Sequence, residues 1–153
     1  MTDLRTLTPA DHRLWHDLRL AALTDAPHAF KAGLADWHTG GAERWRARLD
    51  DPHSHQVAAL LDGTPAGLAA GMPGPAPHIR ELRSLWIAPP ARGRGVADAL
   101  ITEIARWSRT QHATTLHLAA LPTNTPALAL YHRHGFTLLT DYGAELTLAK
   151  PLL

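Results

Sequence analysis

Just past an apolar run that ends at Ala88, and opening another at Val96, the chain reads Arg92-Gly93-Arg94-Gly95-Val96-Ala97. A turn that leads straight into a helix leaves backbone N–H groups without intrahelical partners. Glycine lets the backbone approach a ligand closely, and the helix dipole adds partial positive charge where those donors point. Arg92 and Arg94 can add side-chain charge. The combination suits a pyrophosphate. Two glycines also make a plain tight connection, so the reading needs support from elsewhere in the chain. A Walker-type loop is excluded, because no Gly-Lys-Ser/Thr follows. A dinucleotide fold is disfavoured, since its Gly-rich turn normally follows the first strand of a parallel sheet. The residues open an apolar helix, which separates them from disordered Arg-Gly tracts that bind RNA.

Other chemistry is scarcer. Cysteine is absent, which excludes disulfides, thiolate metal sites and a cysteine acyl-enzyme. His12 and His16, and His53 and His55, have spacings that metal sites use, but no convincing third ligand accompanies either pair, and no metal is expected. His132 and His134 straddle an expected helix end, where positive charge is favourable, and read as structural. Trp15, Trp37 and Trp45 could line an acceptor pocket, although helix-spaced aromatics more often fill a core. Trp15 reads as buried.

The elements that must position the Arg92 turn follow from the pattern. The 153 residues suit one domain over 1–153, with 45% apolar and 19% charged residues. A net charge of +1 gives no electrostatic drive toward nucleic acid. No apolar run approaches the roughly 20 residues of a membrane span. The stretch Met1-Thr2-Asp3-Leu4-Arg5 lacks the pattern of a secretory signal, so the expectation is cytoplasmic, with no membrane partner.

Residues 3–7 read as a strand, and Thr8, Pro9 and Asp11 as the start of a helix that stops before Pro27, with Leu14, Leu18, Ala21 and Ala22 on its apolar face. A second helical stretch covers 28–50, broken near Gly40-Gly41. Strands at 56–61 and 66–72 flank an Asp62-Gly63-Thr64-Pro65 turn, and a longer strand covers 79–88. From Gly95 runs a helix with Val96, Leu100 and Ile104 in one stripe. A strand at 114–120, a short helix to about His134 stopped by Gly135, and two closing strands over 136–149 complete an α/β plan. Its sheet is mostly antiparallel, with one parallel pair where the helix from Gly95 crosses over.

Two stretches then carry a resemblance. Leu85-Trp86-Ile87-Ala88-Pro89-Pro90-Ala91-Arg92-Gly93-Arg94-Gly95-Val96-Ala97 resembles the acetyl-CoA signature of the GCN5-related N-acetyltransferases (GNAT), Gln/Arg-x-x-Gly-x-Gly/Ala, met here by Arg92, Gly95 and Ala97. Asn124-Thr125-Pro126-Ala127-Leu128-Ala129-Leu130-Tyr131-His132-Arg133-His134-Gly135-Phe136 is similar to that family's second signature of Asn, Ala, Tyr and Gly-Phe. The likeness is tight over roughly 79–140, and follows element order elsewhere. It implies the GNAT α+β fold, with helices flanking a mixed sheet and a splayed parallel strand pair at the acetyl-CoA site.

The resemblance also implies an enzyme: an acetyl-CoA-dependent N-acetyltransferase acting by direct attack of a primary amine in a ternary complex. Trp86, Ile87, Ala88, Arg92, Gly93, Arg94, Gly95, Val96, Ala97, Asn124, Ala127 and Tyr131 then form the cofactor side. A backbone N–H around Ile87 serves the oxyanion, and Tyr131, protonated at neutral pH, is the acid for the departing thiolate. Glu81, eleven positions before Arg92, is the candidate base. By alternation it shares a face with Ile79, Leu85 and Ile87, where desolvation would raise its pKa. A Glu81–Arg83 or Glu81–Arg80 ion pair, and a water relay in place of Glu81, are the competing readings.

Asn124 anchors the cofactor or caps a helix, and the two roles can coexist. The acceptor, small-molecule or peptide amine, has no diagnostic motif. A homodimer is compatible with the family, but no interface is legible. The rivals are a non-catalytic acyl-CoA-binding module on the same fold, and a phosphate or nucleotide binder without acyl chemistry.

Overall fold

The computed structural model describes residues 1–26 and 41–152. Among them run β1 (Thr2–Thr6), α1 (His12–Asp25), α2 (Gly41–Leu49), β2 (His55–Leu61), β3 (Thr64–Pro73), β4 (Ile79–Ile87), α3 (Val96–Thr110), β5 (Thr115–Ala120), α4 (Thr125–Arg133), β6 (Thr137–Asp141) and β7 (Leu146–Pro151). The element order is the one expected, with boundaries within a residue or two except at α1, where a 3-10 turn over Pro9–Asp11 precedes the α-helix. Trp37 and the first part of the stretch expected over 28–50 lie outside the described residues; α2 supplies its last part. No helix among the described residues is long and apolar enough to cross a membrane.

The strands form one sheet in the order β1-β2-β3-β4-β5-β7-β6. Neighbours pair antiparallel except β4 and β5, which are parallel because α3 carries the chain back across the sheet. Alternation along β2 sends Val57 and Ala59 to one face and Ala58 to the other. The first face packs on Val96, Leu100, Ile101 and Ile104 of α3, with Leu82, Leu116, Leu118, Phe136 and Leu148. The predicted stripe of α3 is therefore its buried side. The second face packs Ala58, Leu68 and Trp86 on Trp15, Leu18, Ala22 and Leu23 of α1. Each large apolar side chain buried this way contributes roughly 1.5–3 kcal/mol.

Two expectations need correction. The buried side of α1 is rotated from the expected one: Trp15, Leu18 and Ala22 are buried as expected, but Ala21 is exposed and Arg19 is buried. Arg19 donates to Ser84 Oγ at 2.6 Å, and burial, with Arg48 nearby, pushes its guanidinium down to about 10. Ser84 is the second point. It has φ +58°, and the β3–β4 register moves from Ala70↔Arg83 to Leu68↔Trp86, a β-bulge. The bulge reverses the alternation, so Glu81 shares its face with Trp86 and not with Leu85 and Ile87, which pack toward the α3 side.

Candidate functional site

The turn before α3 takes its shape from its glycines. Gly93 (φ +75°) and Gly95 (φ +82°) are both left-handed, and a Cβ at either would meet no atom within 4 Å. The backbone is thus bare on an open side. Gly95 is the N-cap, and the first helical bond is the Ala99 N–H to the Gly95 carbonyl at 3.1 Å. Among the described residues, nothing accepts from the N–H groups of Gly93 through Asp98. Buried Val96 anchors this end of α3 in the core, and half-buried Ala97 keeps its surface low. Arg94 is exposed, with Asp62 loosely beside it at 4.0 Å. The result is a row of free donors at the positive end of a 15-residue helix, a fit for a pyrophosphate.

Beside the turn, β4 and β5 part. Their pairing runs from Ile79↔Thr115 to Leu82↔Leu118, leaving Arg83–Ile87 unpaired on that side. Ile87 faces Gly67 across the β3–β4 ladder, and the Ala88 N–H donates to the Ala66 carbonyl at 2.8 Å. That bond makes Gly67–Ile87 a non-hydrogen-bonded pair, so the N–H and C=O of Ile87 turn away from β3 and toward the gap. The carbonyl is occupied: Arg92 Nε donates to it at 3.1 Å. Arg92 Nη2 also donates to Asp25 Oδ2 at 2.6 Å, and buried Trp86 donates from Nε1 to the same oxygen at 2.9 Å. These two bonds hold the Asp25 carboxyl below its ordinary range.

The second motif lies on α4, whose end is tied to the first turn of α3 by Arg133 and His134 on Asp98. The Asn124 amide oxygen caps the helix by accepting from the Ala127 N–H at 3.4 Å, with Pro126 in the first turn. Tyr131 is half-buried against the main core, and burial pushes its phenol up. Among the described residues its hydroxyl has no partner. Glu81 lies further back along β4, within the stretch still paired to β5. Its Oε2 accepts from Arg83 Nε at 2.8 Å and Nη2 at 2.6 Å, the competing ion pair foreseen for it. Six positions of strand, roughly 15–20 Å, separate it from Ile87.

Several histidines hold contacts with other parts of the fold. His132 Nδ1 donates to the Phe136 carbonyl at 3.1 Å, His134 Nε2 to Asp98 at 2.7 Å, and His55 Nε2 to Glu103 at 2.8 Å. His16 stacks on Trp45, with ring centroids 3.8 Å apart. Sequence reasoning missed Asp25. Its partners lie 61 and 67 positions away, and no local pattern announces them.

With this geometry in hand, comparison with known proteins is specific. The model of the acetyltransferase (GNAT) family matches residues 15–136. The mycothiol acetyltransferase of Salinispora arenicola is 32% identical over 143 residues, 87% of this chain and 44% of that protein. The N-alpha-acetyltransferase RimI of Mycobacterium tuberculosis is 31% identical over 90 residues, 58% of this chain and 55% of that one. The matched stretches thus span about half the length of these relatives. The PaiA N-acetyltransferase from Thermoplasma acidophilum, solved in complex with coenzyme A, has a TM-score of 0.77 at 15% identity over 99% of each chain, a likeness of fold.

Proposed function

The chain belongs to the acetyltransferase (GNAT) family, and from that premise we propose that it transfers the acetyl group of acetyl-CoA to a primary amine of a small molecule or peptide. It does so as a single domain over 1–153, by direct attack within a ternary complex. The observation that carries this reading is the row of free N–H groups from Gly93 to Asp98, opening α3 beside the parted strands.

When bound, acetyl-CoA supplies the activated acyl group; the rest falls to the chain. Gly93, Arg94, Gly95, Val96 and Ala97 hold the pyrophosphate through backbone N–H groups, with the main chain of Arg92 starting the cradle. Trp86, Ile87 and Ala88 form the strand end that flanks the acyl-bearing arm, and Asn124 and Ala127 the opposite wall. The Ile87 N–H, turned into the gap, donates to the oxyanion as it develops. Tyr131, kept protonated by burial, gives its proton to the departing thiolate. An ammonium cannot attack, so the amine must first lose a proton. Glu81 is too far along β4 to take it directly from an amine at Ile87, which favours water molecules passing it to the Glu81 carboxylate.

One relative is named for mycothiol and the other for N-alpha acetylation, so small-molecule amines and peptide α-amines both belong in the acceptor panel. Release of free coenzyme A thiol from acetyl-CoA, followed across that panel together with polyamines and lysine peptides, tests the proposal. Amine-dependent release supports it. Acetyl-CoA binding with no release on any amine would instead favour a non-catalytic acyl-CoA-binding module.

A further inference from the structure

Stretches more than 60 positions apart in sequence meet at one carboxylate. Asp25 is the last residue of α1, Trp86 and Ile87 end β4, and Arg92 begins the phosphate turn. Asp25 Oδ2 accepts from Trp86 Nε1 at 2.9 Å and from Arg92 Nη2 at 2.6 Å. Through its Nε, the same guanidinium donates to the Ile87 carbonyl at 3.1 Å. A guanidinium is a rigid planar fork, so holding one edge on Asp25 fixes where its Nε points. The Ile87–Ala88 peptide is therefore gripped at both ends, its carbonyl by Arg92 and its N–H by the Ala66 carbonyl at 2.8 Å. Trp86 fastens the carboxylate in turn, since its buried indole N–H needs an acceptor.

The pairing also settles what the Arg92 side chain does in the free protein. Its charge is matched by Asp25, and two of its nitrogens are spent on protein oxygens. It is a brace between the turn and the strand end before it is a phosphate ligand.

We propose that Asp25 is a positioning residue for acetyl transfer, holding Arg92 against the Ile87 carbonyl so that the Ile87 N–H and the phosphate turn keep a fixed relation. The proposal rests on the acetyl-CoA reading above. Asp25 acts through Arg92, touching neither the acyl group nor the acceptor. Its side chain is 32% exposed and borders an open groove with Thr24 and Pro89, so replacing it opens no hole in the core.

The test compares Asp25→Ala, Asp25→Asn, Arg92→Ala and the Asp25→Ala/Arg92→Ala double variant. Each is measured for kcat with a responsive amine and for acetyl-CoA Kd by calorimetry, and thermal unfolding verifies that each folds. Asp25→Ala is expected to lower kcat by about ten- to a hundredfold, the scale of a slightly misplaced donor. Its acetyl-CoA Kd stays unchanged or tightens, because a released Arg92 is free to face the phosphates. Asp25→Asn, which retains an acceptor for Trp86, falls between Asp25→Ala and the unsubstituted protein. In the Arg92→Ala background, Asp25→Ala costs nothing further in kcat.

Unchanged kcat in Asp25→Ala overturns the proposal. So do parallel losses of kcat and affinity, or additive losses in the double variant, which a general weakening of structure would produce. Failure of the unsubstituted protein to bind acetyl-CoA removes the parent reading and this one with it, and that control tells the two failures apart.

Discussion

Phe136 returns to Tyr131 twice: its N–H donates to the Tyr131 carbonyl at 3.0 Å, and its ring meets the tyrosine ring edge-on, with centroids 6.0 Å apart and planes inclined by 67°. The Gly135 N–H meanwhile reaches the His132 carbonyl at 3.0 Å, and Gly135 is left-handed at φ +89°. Together these make a Schellman cap with its apolar contact. The Tyr-x-x-x-Gly-Phe portion of the second signature is thus a device for ending α4 with Tyr131 locked in place. Tyr131→Phe keeps the ring contact and removes only the hydroxyl. It is expected to lower kcat by about ten- to a hundredfold while the acetyl-CoA Kd changes little. Unaltered kcat across the pH range would remove Tyr131 as the acid.

The cradle is tested at Gly95. A side chain at φ +82° is strained by about 1–2 kcal/mol, and a glutamate adds negative charge where the proposed pyrophosphate would sit. Gly95→Glu is expected to weaken acetyl-CoA binding by about a hundredfold or more, and Gly95→Ala, carrying strain without charge, by about tenfold. Equal affinity in both variants and the unsubstituted protein by calorimetry would mean the pyrophosphate lies elsewhere.

Packing of α3 on the sheet is tested at Gly71. A Cβ there would stand 2.5 Å from Trp107 Cζ3, inside the ring's contact surface. Trp107 is buried and stacks on His55 at 5.5 Å, so it has little room to yield. Gly71→Ala is expected to destabilise the fold by about 1–3 kcal/mol in urea unfolding. No loss of stability would show that Trp107 moves freely.

Acid sensitivity is tested at Asp98, which joins the first turn of α3 to the end of α4. Hydrogen bonds from Arg133 and His134 hold its carboxyl below the ordinary value of 3.8. The folded state therefore binds its proton less readily than the unfolded chain. The stability it contributes is full at neutral pH, begins to fade near the unfolded value, and is lost as pH falls through the lowered folded one. The carboxylate is 44% exposed, so screening limits the contribution to roughly 0.2–1 kcal/mol. Asp98→Asn should be slightly less stable at pH 7, with the difference shrinking as pH falls below the ordinary value of 3.8. A constant difference across that range would contradict the assignment.

Much of the fold was legible because local patterns agreed with it. Val96, Leu100 and Ile104 declared the buried side of α3, and Gly135 declared the end of α4. The face of Glu81 was not legible, because strand parity counts only up to a bulge, and nothing in Arg83-Ser84-Leu85 marks Ser84 as the residue at φ +58°. The rotation of α1 escaped for a related reason. Arg19 occupies a buried position as a charged residue, matched by Ser84 from 65 positions away. Of the candidate site, the glycines and Tyr131 could be read from motifs. The Asp25–Arg92–Ile87 brace could not, since it exists only once three separate elements have folded together.

The central claim is that the Arg92–Ala97 turn holds acetyl-CoA, and calorimetric titration of the purified protein with acetyl-CoA, alongside ATP and NAD, tests it most directly. Selective micromolar binding of acetyl-CoA, with ATP and NAD much weaker, is the predicted result. No binding by folded protein, or equal binding of all three, would contradict it.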